Sequence, residues 1–157
     1  MVKSSNLDNT DRKILRKMNE MRTNSLTKIG KELNLSKSAI QKRLKKMTDE
    51  GIVKGFVPLI DYKKVDDQLT AISLVRGKYG PDYAERIGKE LSSIKGVCAV
   101  YFVIGDYDFI VMSKAKTIEE LNSIISKFSC IESIERSSTF LSTTTIFEDI
   151  SLFYSFD

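Results

Sequence analysis

Apolar residues recur at helical spacing in three stretches at the front of the chain, and then the period changes. Residues 7–21 carry Ile14, Leu15, Met18 and Met21 as one stripe, with Asp8 or Thr10 placed to cap the helix they predict. After the turn MRTNS, Leu26, Ile29 and Leu33 mark one face of a second short helix, and Ile40, Leu44 and Met47 one face of a third. Ser25 and Ser36 stand where a hydroxyl can satisfy the first backbone N–H groups of these two helices. Leu35 falls in the turn between them, and Gly51 ends the third. Ile52–Pro58 then reads as two short strands around Gly55, a small hairpin or wing. Residues 1–58 are therefore expected to form a winged helix-turn-helix. Residues 59–68, LIDYKKVDDQ, are charged and weakly periodic, a linker whose start reads as a strand or which swivels as a tether.

From Leu69 the pattern alternates between strands and helices. Residues 69–78 are strand-like; residues 81–94 begin with Pro81 at a first helical position and place Ala84, Ile87, Gly88, Leu91 and Ile94 on one face. Gly96 ends that helix. Residues 97–104 are a strand, Gly105–Asp108 a turn, and 109–114 the return strand. Thr117 caps a helix bearing Ile118, Leu121, Ile124, Ile125 and Phe128, with Glu120 in capping-box position. Residues 131–147 read as a last strand, and ISLFYSFD as an aromatic tail that docks or frays. The order β-α-β-β-α-β over residues 69–157 is that of a ferredoxin-like domain, so the fold class is α+β. Helices cover one face of such a sheet. Strand 97–104 is apolar on both, with Val97, Ala99, Tyr101 and Val103 on one side and Cys98, Val100, Phe102 and Ile104 on the other. The bare apolar face calls for a cover, most simply a second copy in a twofold dimer.

Charge sharpens the division. Residues 1–63 carry 15 Lys and Arg against 7 Asp and Glu, while residues 64–157 carry 10 against 14, so the net +4 is a basic front on an acidic back. Only the front is expected to meet a polyanion. The third helix concentrates this charge: Lys37, Ser38, Gln41, Lys42, Lys45 and Lys46 lie outside its apolar stripe, and no acidic residue occurs from Lys37 to Thr48. A cationic, hydrogen-bonding helix braced by a second one is the geometry that enters a DNA major groove. A lysine-rich face is, however, often only a solvated one. No apolar run reaches membrane-spanning length and the first residues lack a secretory apolar core, so a cytoplasmic protein is expected. There is no histidine, and Cys98 and Cys130 fall on or beside strands at opposite sheet edges; no zinc set and no intrachain disulfide are expected.

The opening Leu7-Asp8 with Asp11, Ile14 and Leu15, then Leu33-Asn34-Leu35-Ser36, Arg43-Leu44, Glu50-Gly51-Ile52-Val53 with Gly55, and Gly105-Asp106-Tyr107-Asp108 occur in an order and spacing that resembles the leucine-responsive regulatory protein (Lrp/AsnC, feast/famine) family of transcription factors, over about residues 7–148. The resemblance implies a helix-turn-helix, a linker strand and a ferredoxin-like effector domain. It also implies dimers that assemble into tetramers, octamers or larger rings, and a small effector, usually an amino acid, held between dimers near the Gly-Asp-Tyr-Asp turn.

For DNA, Lys37, Ser38, Gln41 and Lys42 are the candidates at base edges: Gln41 can pair with adenine, and lysine can reach guanine acceptors. Lys45, Lys46 and Lys54 are the candidate phosphate contacts. Arg43 lies beside the buried stripe and either joins them or braces the fold through an acidic partner. For an effector, the backbone N–H groups of Gly105, Asp106, Tyr107 and Asp108 can receive an α-carboxylate and Asp106 or Asp108 an α-ammonium, with Ser137, Ser138 and Thr139 completing the hydrogen bonds. Gly-Asp-Tyr-Asp is equally an ordinary hairpin turn. Family members often carry threonines early in the final strand, where this chain has Ile134 and Arg136. Three rivals stand beside the regulator: an enzyme, disfavoured by the missing histidine and phosphate-binding loop; an oligomeric DNA-compacting protein without an effector; and an amino-acid sensor working through protein partners.

Overall fold

The computed structural model describes residues 7–65 and 68–148. It divides into two compact units, one ending at Leu59 and one spanning Ile60–Phe147. The first is helical: α1 (Asn9–Glu20), α2 (Leu26–Leu33) and α3 (Lys37–Asp49). Asp8, not Thr10, caps α1, through a reciprocal box in which Asp11 N–H donates to Asp8 Oδ1 (2.8 Å) and Asp8 N–H to Asp11 Oδ2 (3.2 Å). Ile14 and Met18 meet Ile29 of α2 and Ile40, Leu44 and Met47 of α3 in one core, with Leu35 packed against it. Ser36 Oγ accepts from Ala39 N–H at 3.2 Å and caps α3 as expected. Ser25 does not do the same for α2. It sits at the cap position with no side-chain capping bond, its own N–H held by Thr23 Oγ1 at 3.1 Å.

The turn from α2 to α3 is tight because of two residues. Asn34 takes the left-handed conformation (φ 53°), which lets Leu35 N–H fold back to the Gly30 carbonyl at 3.0 Å. A Cβ on Gly30 would lie 2.5 Å from the Leu35 carbonyl oxygen, so the backbones approach closely only because that side chain is missing.

The expected wing segment, residues 52–58, carries no paired strands. After Gly51, Ile52 and Val53 both donate their N–H groups to the Met47 carbonyl (2.8 and 3.1 Å) and pack on the helical core. The donors of the first arm are thereby committed to α3, and Pro58 in the second arm has none to give. No strand is assigned from residue 52 to residue 61. The linker holds a single helical turn, α4 (Tyr62–Val65), where a strand was one expectation. Phe56 and Val57 before it and Leu59 and Ile60 at its start are exposed.

The second unit has the expected order: β1 (Leu69–Gly77), α5 (Tyr83–Ser92), β2 (Val97–Phe102), β3 (Phe109–Ala115), α6 (Ile118–Ser129) and β4 (Ile134–Leu141). The four strands form an antiparallel sheet in the order β2-β3-β1-β4. Alternation sends Ala71, Ser73 and Val75 of β1 and Phe109 and Val111 of β3 to one face, where Ile87, Leu91, Leu121, Ile124 and Phe128 cover them. Several boundaries differ from expectation. Pro81 lies in the turn before α5 rather than inside it, because Asp82 adopts a left-handed conformation (φ 51°) and the helix starts at Tyr83. Thr117 caps α6, but Glu120 reaches one residue further back, to Lys116 N–H at 2.9 Å. β4 is shorter than residues 131–147: Ser133 is used as a carbonyl acceptor for Lys78 N–H (2.7 Å) before the strand begins, and residues 142–148 follow it without strand structure. The ISLFYSFD tail falls outside the described residues.

A register shift in β2 between Val97 and Ala99 changes the expected face assignment. The extra residue at the bulge, Cys98, returns Val97 to the helix-covered face with Val100 and Phe102, and leaves Ala99 and Tyr101 on the other. That other face carries Ile72, Leu74, Ile110, Met112, Tyr101 and Phe140, and neither α5 nor α6 covers it; Tyr101 and Phe140 are each more than half exposed. Cys98 and Cys130 are exposed, at or beside β2 and β4, the two sheet edges.

Candidate nucleic-acid interface and effector loop

α3 presents its charge outward because its other side is fixed. Ile40, Leu44 and Met47 are buried, and a helix with that stripe must expose Lys37, Ser38, Gln41, Lys42, Lys45 and Lys46, all of which are exposed, as is Lys54 beyond its end. Ser36 and Ser38 hydroxyls lie 3.1 Å apart, and Lys46 Nζ lies 3.9 Å from Glu50 one turn on. Lys37, Gln41, Lys42 and Lys45 project between these points, with no carboxylate within ion-pair distance of the three lysines among the described residues.

Arg43 is different. Its guanidinium donates to Asp8 Oδ2 at 2.5 Å and to Asp11 Oδ1 at 2.8 Å, tying α3 to the first turn of α1. Asp11 is only 1% exposed, so its carboxylate is held inside by the guanidinium and by Asp8 N–H. The Arg43 hydrogen bond, with help from the Asp11 backbone, holds the Asp8 carboxyl below its ordinary range, and the two carboxylates raise Arg43 above its own. Of the two roles open to Arg43 in the sequence, the brace is the one its contacts fill. The same guanidinium thus pairs with both the exposed N-cap acid Asp8 and the buried Asp11 of α1.

The Gly105–Asp108 turn closes the β2–β3 hairpin, with Val103 N–H donating to the Asp108 carbonyl at 2.8 Å and Asp108 N–H to Val75 O at 3.0 Å. Gly105, Asp106 and Tyr107 remain accessible in whole or part. The Asp108 carboxylate is buried: Oδ2 accepts from Gly77 N–H (2.8 Å) and Oδ1 from the Tyr83 hydroxyl (3.3 Å). It therefore anchors the turn to β1 and α5, and Asp106 is the exposed carboxylate of the pair. Burial, and secondarily the Asp108 charge, pushes the Tyr83 phenol up. On β4, Thr139 Oγ1 pairs with the buried Ser73 hydroxyl at 2.8 Å on the helix-covered face, while Ser138 lies on the bare face opposite Leu74. Ser137 is exposed opposite Val75. The three residues thus do not converge on one face. Arg76 and Arg136, absent from the expected site, stand beside the turn: Arg76 reaches the Asp106 carbonyl at 3.5 Å, and Arg136 lies over the Tyr107 ring at 5.2 Å. Nothing local in the sequence marks Tyr83, Gly77 or Arg76, since their partners lie 25–31 residues away.

Residues 70–152 match the family model described as the Lrp/AsnC ligand binding domain, and residues 7–54 match a winged helix-turn-helix DNA-binding model. The chain belongs to the Lrp/AsnC family of transcriptional regulators. Among relatives of this Lrp/AsnC protein, an uncharacterized HTH-type transcriptional regulator of Pyrococcus furiosus is 32% identical over 93% of this chain and 97% of its own. The HTH-type transcriptional regulator LysM of Saccharolobus solfataricus is 33% identical over 83% and 89%. A transcriptional regulator of Neisseria meningitidis, solved as a complex with L-Met, shares the fold with a TM-score of 0.72 at 21% identity, over 93% of this chain and 96% of that one. No helix among the described residues is long and apolar enough to cross a membrane.

Proposed function

We propose that this Lrp/AsnC regulator reads duplex DNA with α3, works as a twofold assembly in the cytoplasm, has no enzymatic activity, and responds to a small amino acid bound near the Gly105–Asp108 turn. The observation that carries the reading is the outward face of α3: from Lys37 to Thr48 it carries no acid, and the nearby Asp8 and Asp11 carboxylates are both paired with Arg43. Lys37, Ser38, Gln41 and Lys42, on the N-terminal half of the helix, are assigned to base edges, Lys45, Lys46 and Lys54 to phosphates, and Arg43 to holding the helix. The bare apolar face of the sheet supports self-association, because apolar area of that kind is stabilised by a matching face on a second copy. Two heads would then read a pseudo-palindromic site with half-sites about one helical turn or a multiple apart. The accessible backbone of Gly105–Tyr107 and the exposed Asp106 carboxylate supply both signs that a zwitterion needs. The L-Met complex of the Neisseria meningitidis relative is consistent with an amino-acid effector.

The test is binding to specific and random duplex DNA across a salt series. A regulator predicts at least a 1000-fold specificity ratio. Nearly equal affinities would favour the compacting protein, and undiminished DNA binding after Lys42→Glu with Lys45→Glu would remove α3 from the interface.

A further inference from the structure

Residues 64–157 contain three arginines, and two of them face each other. Arg76 on β1 and Arg136 on β4 are register partners across the sheet. Both lie on the face away from α5 and α6, since Val75 and Gly77 beside Arg76 are buried on the other. Like charges directly opposite one another in a sheet repel. Their surroundings offset this only in part. Arg76 Nε lies 3.6 Å from Glu135 Oε2, and Arg136 rests on the Tyr107 ring with no carboxylate within ion-pair distance among the described residues. The pair is fixed by strand backbone, and Asp108 clamps the adjacent turn to the same strand. Two guanidiniums, the turn's backbone and the Asp106 carboxylate therefore form one preorganised corner in a unit that is otherwise net acidic.

We infer that this corner selects an α-amino acid with a second carboxylate, an aspartate- or glutamate-like effector. The inference rests on the effector reading above and names its chemical class. One carboxylate bridges the two guanidiniums, whose planar forks suit it better than any neutral group. The other meets the backbone N–H groups of the turn, and the ammonium faces Asp106. A neutral apolar side chain in the same place would desolvate two mutually repelling cations and return nothing.

The experiment is isothermal titration of the full-length chain with L-glutamate, L-aspartate, L-glutamine, L-asparagine, L-leucine and L-methionine at matched ionic strength. One acidic amino acid is expected to bind at least about tenfold more tightly than its amide. Arg76→Gln and Arg136→Gln are each expected to bring that ratio close to one; circular dichroism confirms that each variant is folded. Arg136→Lys, which keeps charge but loses the fork, is expected to fall between. If the amides or neutral amino acids bind as well as the acids, or the preference survives both glutamine variants, the acidic class is wrong while the effector reading stands. If none of the six ligands binds, the acidic class is wrong, and silence from the remaining amino acids as well would overturn the effector reading.

Discussion

Arg43→Met isolates the brace between α3 and α1. The substitution keeps most of the aliphatic stem but removes the guanidinium that Asp11 Oδ1 and Asp8 Oδ2 accept from. Breaking a fully buried ion pair costs about 3–5 kcal/mol, and an exposed one about 0–1. This one is intermediate: the Asp11 side chain is 2% exposed, but that of Arg43 is 35% exposed and lets water screen the pair. A loss of about 2 kcal/mol follows, nearly all from the Asp11 carboxylate left inside with one backbone N–H for company. A helical head of this size has on the order of 5 kcal/mol in total, so the variant stays over about 95% folded at room temperature. The assay is native-state hydrogen exchange at Ile14 and Ile40 in the full-length chain, alongside DNA affinity. Protection should fall by about 30-fold while DNA affinity changes less than about twofold. Asp11→Asn in the Arg43→Met background should recover part of the loss, because it removes the stranded charge. Tenfold weaker DNA binding with unchanged protection would show that Arg43 touches DNA and braces nothing.

The remaining predictions are simpler. Lys42→Glu with Lys45→Glu should weaken DNA binding by at least 100-fold in low salt and flatten its salt dependence, read by fluorescence anisotropy. Gly30→Val should cost about 2–4 kcal/mol in the head, since its Cβ would meet the Leu35 carbonyl and valine adds two more methyl groups there; denaturant titration of the head would show it. Asp108→Ala leaves the Gly77 N–H without its acceptor in a buried site and should cost about 2 kcal/mol, read by thermal unfolding of the second unit. Because Arg43 holds the folded-state pKa of Asp8 below its ordinary carboxylate value, its contribution is complete above that ordinary value and is lost as pH falls through the lower, folded one; the hydrogen-exchange protection of α1 should weaken there in the wild type and less so in Arg43→Met.

What could be read from the chain itself was what depends on neighbours a few residues away. The helical stripes of α1, α2 and α3 span a few turns at most, Asp8 was one of the two caps offered for α1, and the strand–helix alternation from Leu69 follows from periodicity alone. The misreadings arise where a distant group competes for the same atoms. The wing segment is without paired strands because Met47's carbonyl takes the Ile52 and Val53 donors. Val97 changes face because one bulged residue inverts the alternation. Arg43 was ambiguous because its partners stand 32 and 35 residues away, and Asp108 read as a ligand group because Gly77 and Tyr83 reach it only in the folded sheet. Arg76 and Arg136 come together solely through the β1–β4 register.

Selection of bound duplexes from a random pool by the full-length chain tests the central claim most directly. The account predicts an enriched, twofold-symmetric sequence with half-sites about one helical turn or a multiple apart, lost on Lys42→Glu with Lys45→Glu. A pool that stays random after repeated rounds, or an enrichment that survives that double substitution, would contradict it.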